Sequence, residues 1–138
     1  LVVASSSGVK VDLVVRGICR LVPGVAGRTE NIRVISIVGR FLEHARLYIF
    51  GADAKADMFI ASADFMTRNT TRRVEVAAPV RSKSVRTRLR QLFDGMLADR
   101  WQAWKMRSDG TYRRSGAKGV SDAEKTEDDA ADDDGRMG

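Results

Sequence analysis

Residues 10–17 read KVDLVVRG. Val11, Leu13 and Val15 alternate, and Val14 adds an apolar side chain to the opposite face, a spacing that predicts a mostly buried β-strand. Arg16 and Gly17 follow at its C-terminal end, the edge at which open α/β sheets bind ligands. Just upstream, SSSG at 5–8 offers a helix stop at Gly8. A helix running into this strand, in a chain whose first residue is Leu1, reads as an N-terminally truncated domain.

Working outward, LVPGVAG at 21–27 holds one proline and two glycines and reads as a loop. Residues 33–38 suit either a strand or the start of a helix. RLYIF at 46–50 is β-branched and aromatic and runs into Gly51 and Asp53, a strand and a turn. Residues 58–61 form another short strand, and RVEVAA at 73–78 alternates as a strand stopped by Pro79. The clearest helix is expected over 82–104. There Val85, Leu89, Leu92, Phe93, Met96, Leu97, Trp101 and Trp104 recur at three- and four-residue spacing behind a Ser82 or Ser84 cap. Strands followed by a packing helix point to an α/β layered domain. From about Ser108 the chain turns polar and is expected to lose fixed structure. The expected division is a domain at 1–107 and an acidic, disordered tail at 108–138.

The 138 residues suit one domain, and 43% apolar with 30% charged residues is ordinary globular composition. No run approaches the ~18 apolar residues that a membrane-spanning helix needs. The lone Cys19 excludes an internal disulfide and reads as a small core thiol. No Cys/His cluster has metal-ligand spacing, so no metal ligands are assigned. The net charge of +6 is unevenly spread. Residues 122–138 hold eight acids against Lys125 and Arg136, a net −6, while the rest carries 22 bases and 10 acids, a net +12. A body this basic attracts polyanions: phosphate chains, nucleic acid or an anionic membrane.

Three segments carry candidate chemistry. Arg16 at a strand end can hold phosphate bidentately. In GRFLEHARLYIF (39–50), His44 and Arg46 are two apart at the entry to a strand, a spacing that puts both on one face. Imidazole can move a proton or attack phosphorus, and guanidinium stabilises equatorial charge. In SADFMTRNTTRR (62–73), Ser62, Asp64, Arg68 and Asn69 crowd hydroxyl, amide and guanidinium groups into one anion-cradling loop. By spacing alone the plainer readings stand beside these: a solvated surface arginine, a histidine packed at a strand edge, a polar loop. GVAGRTE at 24–30 is not a phosphate loop, because Val22 stands where the first glycine belongs and Arg28 where lysine is required.

The strings LVVRGICRLVPG, ENIRVISIVGRFLEHARLYIF and SADFMTRNTTRRVEVAAPV lie in order between about Val11 and Val80. In them the chain resembles the polyphosphate kinase family, of the type with a phosphohistidine and a phospholipase-D-like fold. DGTYRR near the end suits the family's last segment. The resemblance implies an α/β, phospholipase-D-like layered sheet with packing helices, one half of a two-domain catalytic unit whose phosphohistidine half lies upstream. It implies reversible transfer of the terminal phosphate of ATP to polyphosphate, with Mg2+ whose ligands are not in this segment. His44 falls on the family's second essential histidine and Arg16 on an arginine that contacts nucleotide phosphate. Ser62, Asp64, Arg68 and Asn69 fall on the segment resembling the superfamily's GSxN element. The superfamily's hydrolases use HxKxxxxD. Here Arg46 and Gly51 stand at the lysine and aspartate positions, which argues against phosphodiester hydrolysis.

The expected partners are ATP or ADP, polyphosphate and the upstream domains, in a homo-oligomeric full enzyme. The expected location is the cytoplasm, with attachment to the inner membrane face left open. The isolated chain is expected to bind phosphate chains without turnover. The competing reading is a basic nucleic-acid-binding module without catalysis, suggested by the charge with Trp101 and Trp104. Placing both tryptophans on an apolar helix stripe counts against it.

Overall fold

The computed structural model describes residues 1–40, 44–52 and 55–116, without the side chains of residues 68 and 70. The acidic stretch from Asp122 onward lies outside the described residues, as does Asp53.

The chain opens with helix α1 (Val2–Ser6). Gly8, at φ +84, ends it in the left-handed conformation that costs glycine nothing. The Gly8 amide donates to Ser5 O at 2.9 Å and the Val9 amide to Ala4 O at 3.0 Å, the paired bonds of a Schellman stop. Strand β1 (Val11–Val15) follows and pairs in parallel with β2 (Ile32–Ile37), Val11 opposite Ile32 and Val15 opposite Ser36.

The loop between them is closed on itself. Buried Thr29 donates its hydroxyl to Val22 O at 2.8 Å and accepts from the Val25 amide at 3.0 Å. The amides of Gly24, Arg28 and Thr29 bond to loop carbonyls, and that of Gly27 to Glu30 Oε2. Amides already used in this way cannot cradle a phosphate.

Of residues 33–38, undecided in sequence, 33–37 belong to β2 and Val38 lies just past it. Its other edge takes β6 (Ala103–Met106), antiparallel, and β7 (Tyr112–Arg114) completes a sheet ordered β1-β2-β6-β7. One face of this sheet gathers Ile32, Val34 and Met106, with Val11, Leu13, Val15, Leu21, Cys19 and Tyr112 packed against them. Cys19 is half-buried here, as a small core thiol would be. Ile35, 1% exposed, is buried on the opposite face.

A second sheet holds β3 (Leu47–Phe50), β4 (Asp57–Ala61) and β5 (Ala77–Pro79), all antiparallel and in that order. Gly51, at φ +94, begins the β3–β4 turn. A short helix α2 (Thr67–Thr71) lies between β4 and β5. The strand expected over 73–78 is shifted. Val74 is 99% exposed, and pairing begins at Ala77. Pro79 is tolerated because β5 is an edge strand.

The long helix, α3 (Lys83–Ala98), is shorter than its periodicity suggested. Asp99 ends it: its Oδ1 accepts the Trp101 and Gln102 amides at 2.7 and 3.1 Å, a local alternative to the helical bond. Trp104 therefore lies in β6, and neither tryptophan is core. Trp101 is 82% exposed and Trp104 43%. The described residues beyond Ser108, up to Gly116, are ordered into a turn and a strand. Gly110, at φ +86, turns it, and Asp109 accepts the amide and hydroxyl of Thr111 at 2.8 and 2.7 Å before β7 begins. Those two bonds hold the exposed Asp109 carboxyl below its ordinary pKa of 3.8.

Two glycines of opposite character test this reading. A Cβ at Gly8 meets no neighbour, but the positive φ strains it, so Gly8→Ala should cost about 1 kcal/mol. At Gly95 a Cβ meets open space on a helix, so Gly95→Ala should add about 0.5–1 kcal/mol. Urea unfolding midpoints of the two variants should move in opposite directions.

Candidate functional site

The site forms where the C-terminal end of β1 meets the entry to β3. Arg16 is the first residue past β1, and the β1–β2 pairing fixes where its backbone points. Its Nη1 lies 3.3 Å from Nδ1 of His44, 28 residues away on the approach to the second sheet. Both side chains are exposed. A guanidinium has donors only, so this contact is a hydrogen bond when Nδ1 is the acceptor and the ring proton sits on Nε2.

Arg46 does a different job from the one its spacing suggested. Its Nη1 donates to the backbone carbonyl of His44 at 2.5 Å, and its Nη2 meets Asp64 Oδ2 at 3.4 Å. Arg46 thus grips the backbone of His44, while Arg16, from the other sheet, meets the ring. The Arg46–Asp64 pair is partly sheltered, its side chains 20% and 29% exposed.

The loop after β4 supplies the frame. Asp64 Oδ1 accepts the Met66 amide at 3.1 Å and the side-chain amide of Asn69, which is 6% exposed. Ser62 donates to the Glu75 carboxylate and accepts the Val76 amide at 3.0 Å, while the Ser62 amide donates to Val76 O at 3.0 Å. The Ser62 hydroxyl is thus spent on Glu75 and the Val76 amide, and the Asp64 carboxylate on Arg46, the Met66 amide and Asn69, whereas the buried Asn69 Oδ1 has no hydrogen-bond partner among the described residues. The side chain of Arg68 lies outside the described residues. The three segments singled out in sequence do converge: Arg16, His44, Arg46 and Asp64 form one connected chain of contacts, and Asn69 supports it from beneath.

Two participants were missed. Glu75 receives the Ser62 hydroxyl. Tyr48 donates its hydroxyl to Ala63 O at 2.6 Å and sets its ring edge-on to Phe65, 5.4 Å between centroids. A signal existed for Tyr48, since 44, 46 and 48 continue one alternation. Burial lifts the Tyr48 phenol above its ordinary pKa of 10.0; the Asp64 carboxylate adds to this and Arg46 opposes it. The folded state thus holds this proton more tightly than the unfolded chain does. The stability it carries is complete below pH 10.0 and is lost as pH rises through the raised value. An alkaline absorbance titration should show one phenol ionising late, and Tyr48→Phe should remove that component.

A family model described as polyphosphate kinase C-terminal domain 2 matches residues 1–126. The polyphosphate kinase of Burkholderia lata is 54% identical over 114 residues, which is 80% of this chain and 16% of that protein. That of Thermosynechococcus vestitus is 48% identical over 111 residues, 80% of this chain and 15% of that protein. The crystal structure of polyphosphate kinase from Porphyromonas gingivalis aligns with a TM-score of 0.78 at 37% identity, covering 91% of this chain and 18% of that one. The chain thus spans about a sixth of the length of the relatives it matches. The mixed α/β sheets and this structural likeness bear out the expected phospholipase-D-like fold. The chain belongs to the polyphosphate kinase family, in the part that its family model describes as C-terminal domain 2.

Proposed function

We propose that this domain supplies the phosphate-facing half of a catalytic unit that transfers the terminal phosphate of ATP, reversibly, to polyphosphate. The observation that carries the reading is the meeting of Arg16 and His44 across two sheets, in a chain of this family. Phosphoryl transfer asks a protein for positioning and charge stabilisation more than for covalent chemistry. Arg16 brings guanidinium charge to the His44 ring and Arg46 brings it to the His44 backbone carbonyl, and the imidazole Nε2–H can donate to a phosphate oxygen. Ser62, Asp64 and Asn69 hold that geometry from behind. A carboxylate at Asp64 would repel a phosphate placed directly on it, so its contribution is to the frame.

Magnesium is implied by the family resemblance. Among the described residues no group of three or more His, Cys, Asp or Glu converges on a point where a metal could sit. Asp64 is already engaged. The described residues do not fit a magnesium site. No helix among them is long and apolar enough to cross a membrane. We place the working enzyme in the cytoplasm, where ATP is available, as a homo-oligomer in which the upstream phosphohistidine half faces Arg16 and His44. The isolated chain, lacking that half, binds phosphate chains without turning them over.

The exposure of Trp101 supports a second reading, a surface that stacks single-stranded nucleic acid beside the basic α3. One titration separates the two. Polyphosphate and a charge-matched oligonucleotide are bound to the purified chain at two salt concentrations, with tryptophan fluorescence recorded. We expect preference for polyphosphate, weakened roughly three- to tenfold in Arg16→Ala and in His44→Ala, the scale of one charge-assisted hydrogen bond. Equal binding that falls with salt and ignores both substitutions would show bulk charge alone. Oligonucleotide-specific quenching would favour the tryptophan surface.

A further inference from the structure

We propose that Asp64 is a positioning residue for His44: by holding Arg46 against the His44 backbone, it keeps the imidazole where Arg16 fixes its tautomer.

The contacts run outward from Asn69 to His44. Asn69 is buried, and its side-chain amide donates to Asp64 Oδ1. The same oxygen takes the Met66 amide at 3.1 Å. The Asp64 carboxylate is therefore oriented by α2 and by the loop before it. Its second oxygen faces Arg46 Nη2 at 3.4 Å. Arg46 passes the constraint on through Nη1 to the His44 carbonyl at 2.5 Å. His44 then meets Arg16 Nη1 at 3.3 Å through Nδ1.

The last link lies at the surface and would not persist unaided. Long exposed side chains lose rotamer freedom when held in one geometry, and in water that cost cancels most of what a single contact gains. The Arg46–Asp64 link is the sheltered one, and it acts on backbone. It therefore restricts where the imidazole can be without touching it. With the ring held beside Arg16, a donor-only group faces Nδ1, and the ring proton is confined to Nε2. The consequence is a histidine whose Nε2 edge is a hydrogen-bond donor before any ligand arrives.

His44 is the one histidine of the chain. Its two ring nitrogens therefore give a single set of signals in a long-range proton–nitrogen spectrum of the free, 138-residue protein. The measurement needs no substrate and is made at alkaline pH, where an ordinary imidazole is neutral. It concerns the site of the proposed function but does not depend on it, so failure of phosphate binding and failure of positioning show separately.

In the parent protein, Nδ1 should be bare and Nε2 protonated in a ratio clearly above that of a short histidine peptide. Arg16→Gln, Arg46→Gln and Asp64→Asn should each lower that ratio roughly threefold or more, towards the peptide value, the scale of one lost hydrogen bond. Asp64→Glu, which restores the carboxylate, should recover part of it. If Asp64→Asn loses the amide dispersion of a folded sheet, Arg46→Gln decides instead. A parent ratio equal to the peptide's, or one unmoved by Arg46→Gln or by a folded Asp64→Asn, would overturn the proposal.

Discussion

Strand β2 is hydrogen-bonded along both edges and buried on both faces. β1 lies on one side in parallel, β6 on the other antiparallel. Ile32 and Val34 point into one layer and Ile35 into the other. A strand held in this way tolerates no register slip, because a shift of one residue would exchange its two faces. Two consequences bear on the site. Parallel pairing with β1 fixes the place where Arg16 emerges. Antiparallel pairing with β6 brings in β7, whose Tyr112 hydroxyl accepts the Cys19 amide at 2.9 Å and so tethers the loop that follows Arg16. The position of one arginine thus rests on a contact between Cys19 and Tyr112, which are 93 residues apart.

The second sheet has a lighter construction. Its strands are short, and β5 carries a proline at its edge. What it contributes is the approach to β3, steered by the loop after β4. Tyr48 ties that loop to β3, and Asp64, held by Asn69, ties it to Arg46 just before the strand. Of the polar density that looked like an anion cradle, Ser62 and Asp64 are engaged within the site's own frame. Among the described side chains beside it, those of Arg16 and His44 are exposed.

The fold was legible where the pattern was local. KVDLVV alternates and RLYIF is β-branched and aromatic, and each contains a strand. Residues 33–38 could not be assigned because a strand buried on both faces loses its alternation and becomes a plain apolar run, which periodicity cannot tell from helix. The end of α3 was misread for a reason the residues contain. Trp101 and Trp104 keep helical spacing by coincidence, while Asp99 offers its carboxylate to the amides beyond it. The hairpin after Ser108 was also missed, although Asp109-Gly110 followed by Thr111 and Tyr112 is a turn leading into a strand. Of the site, the residue types and the three segments were readable. Their convergence was not, since no local rule brings residue 16 to residue 44. Nor could the sequence say that Ser62 would be taken up by Glu75, or Asp64 by Arg46 and Asn69.

Helix α3 carries no buried residue, and Val85 and Leu92 lie open to solvent along its apolar side. One described tie is the Arg86 guanidinium on the Ala56 carbonyl. Sixteen residues is a marginal length for a helix without packing. Its amide hydrogens therefore exchange through local opening, at a free energy well below that of the core around β2. Whatever surface comes to cover the apolar side of α3 raises that opening energy as it binds, so that covering the helix and folding it are thermodynamically a single event.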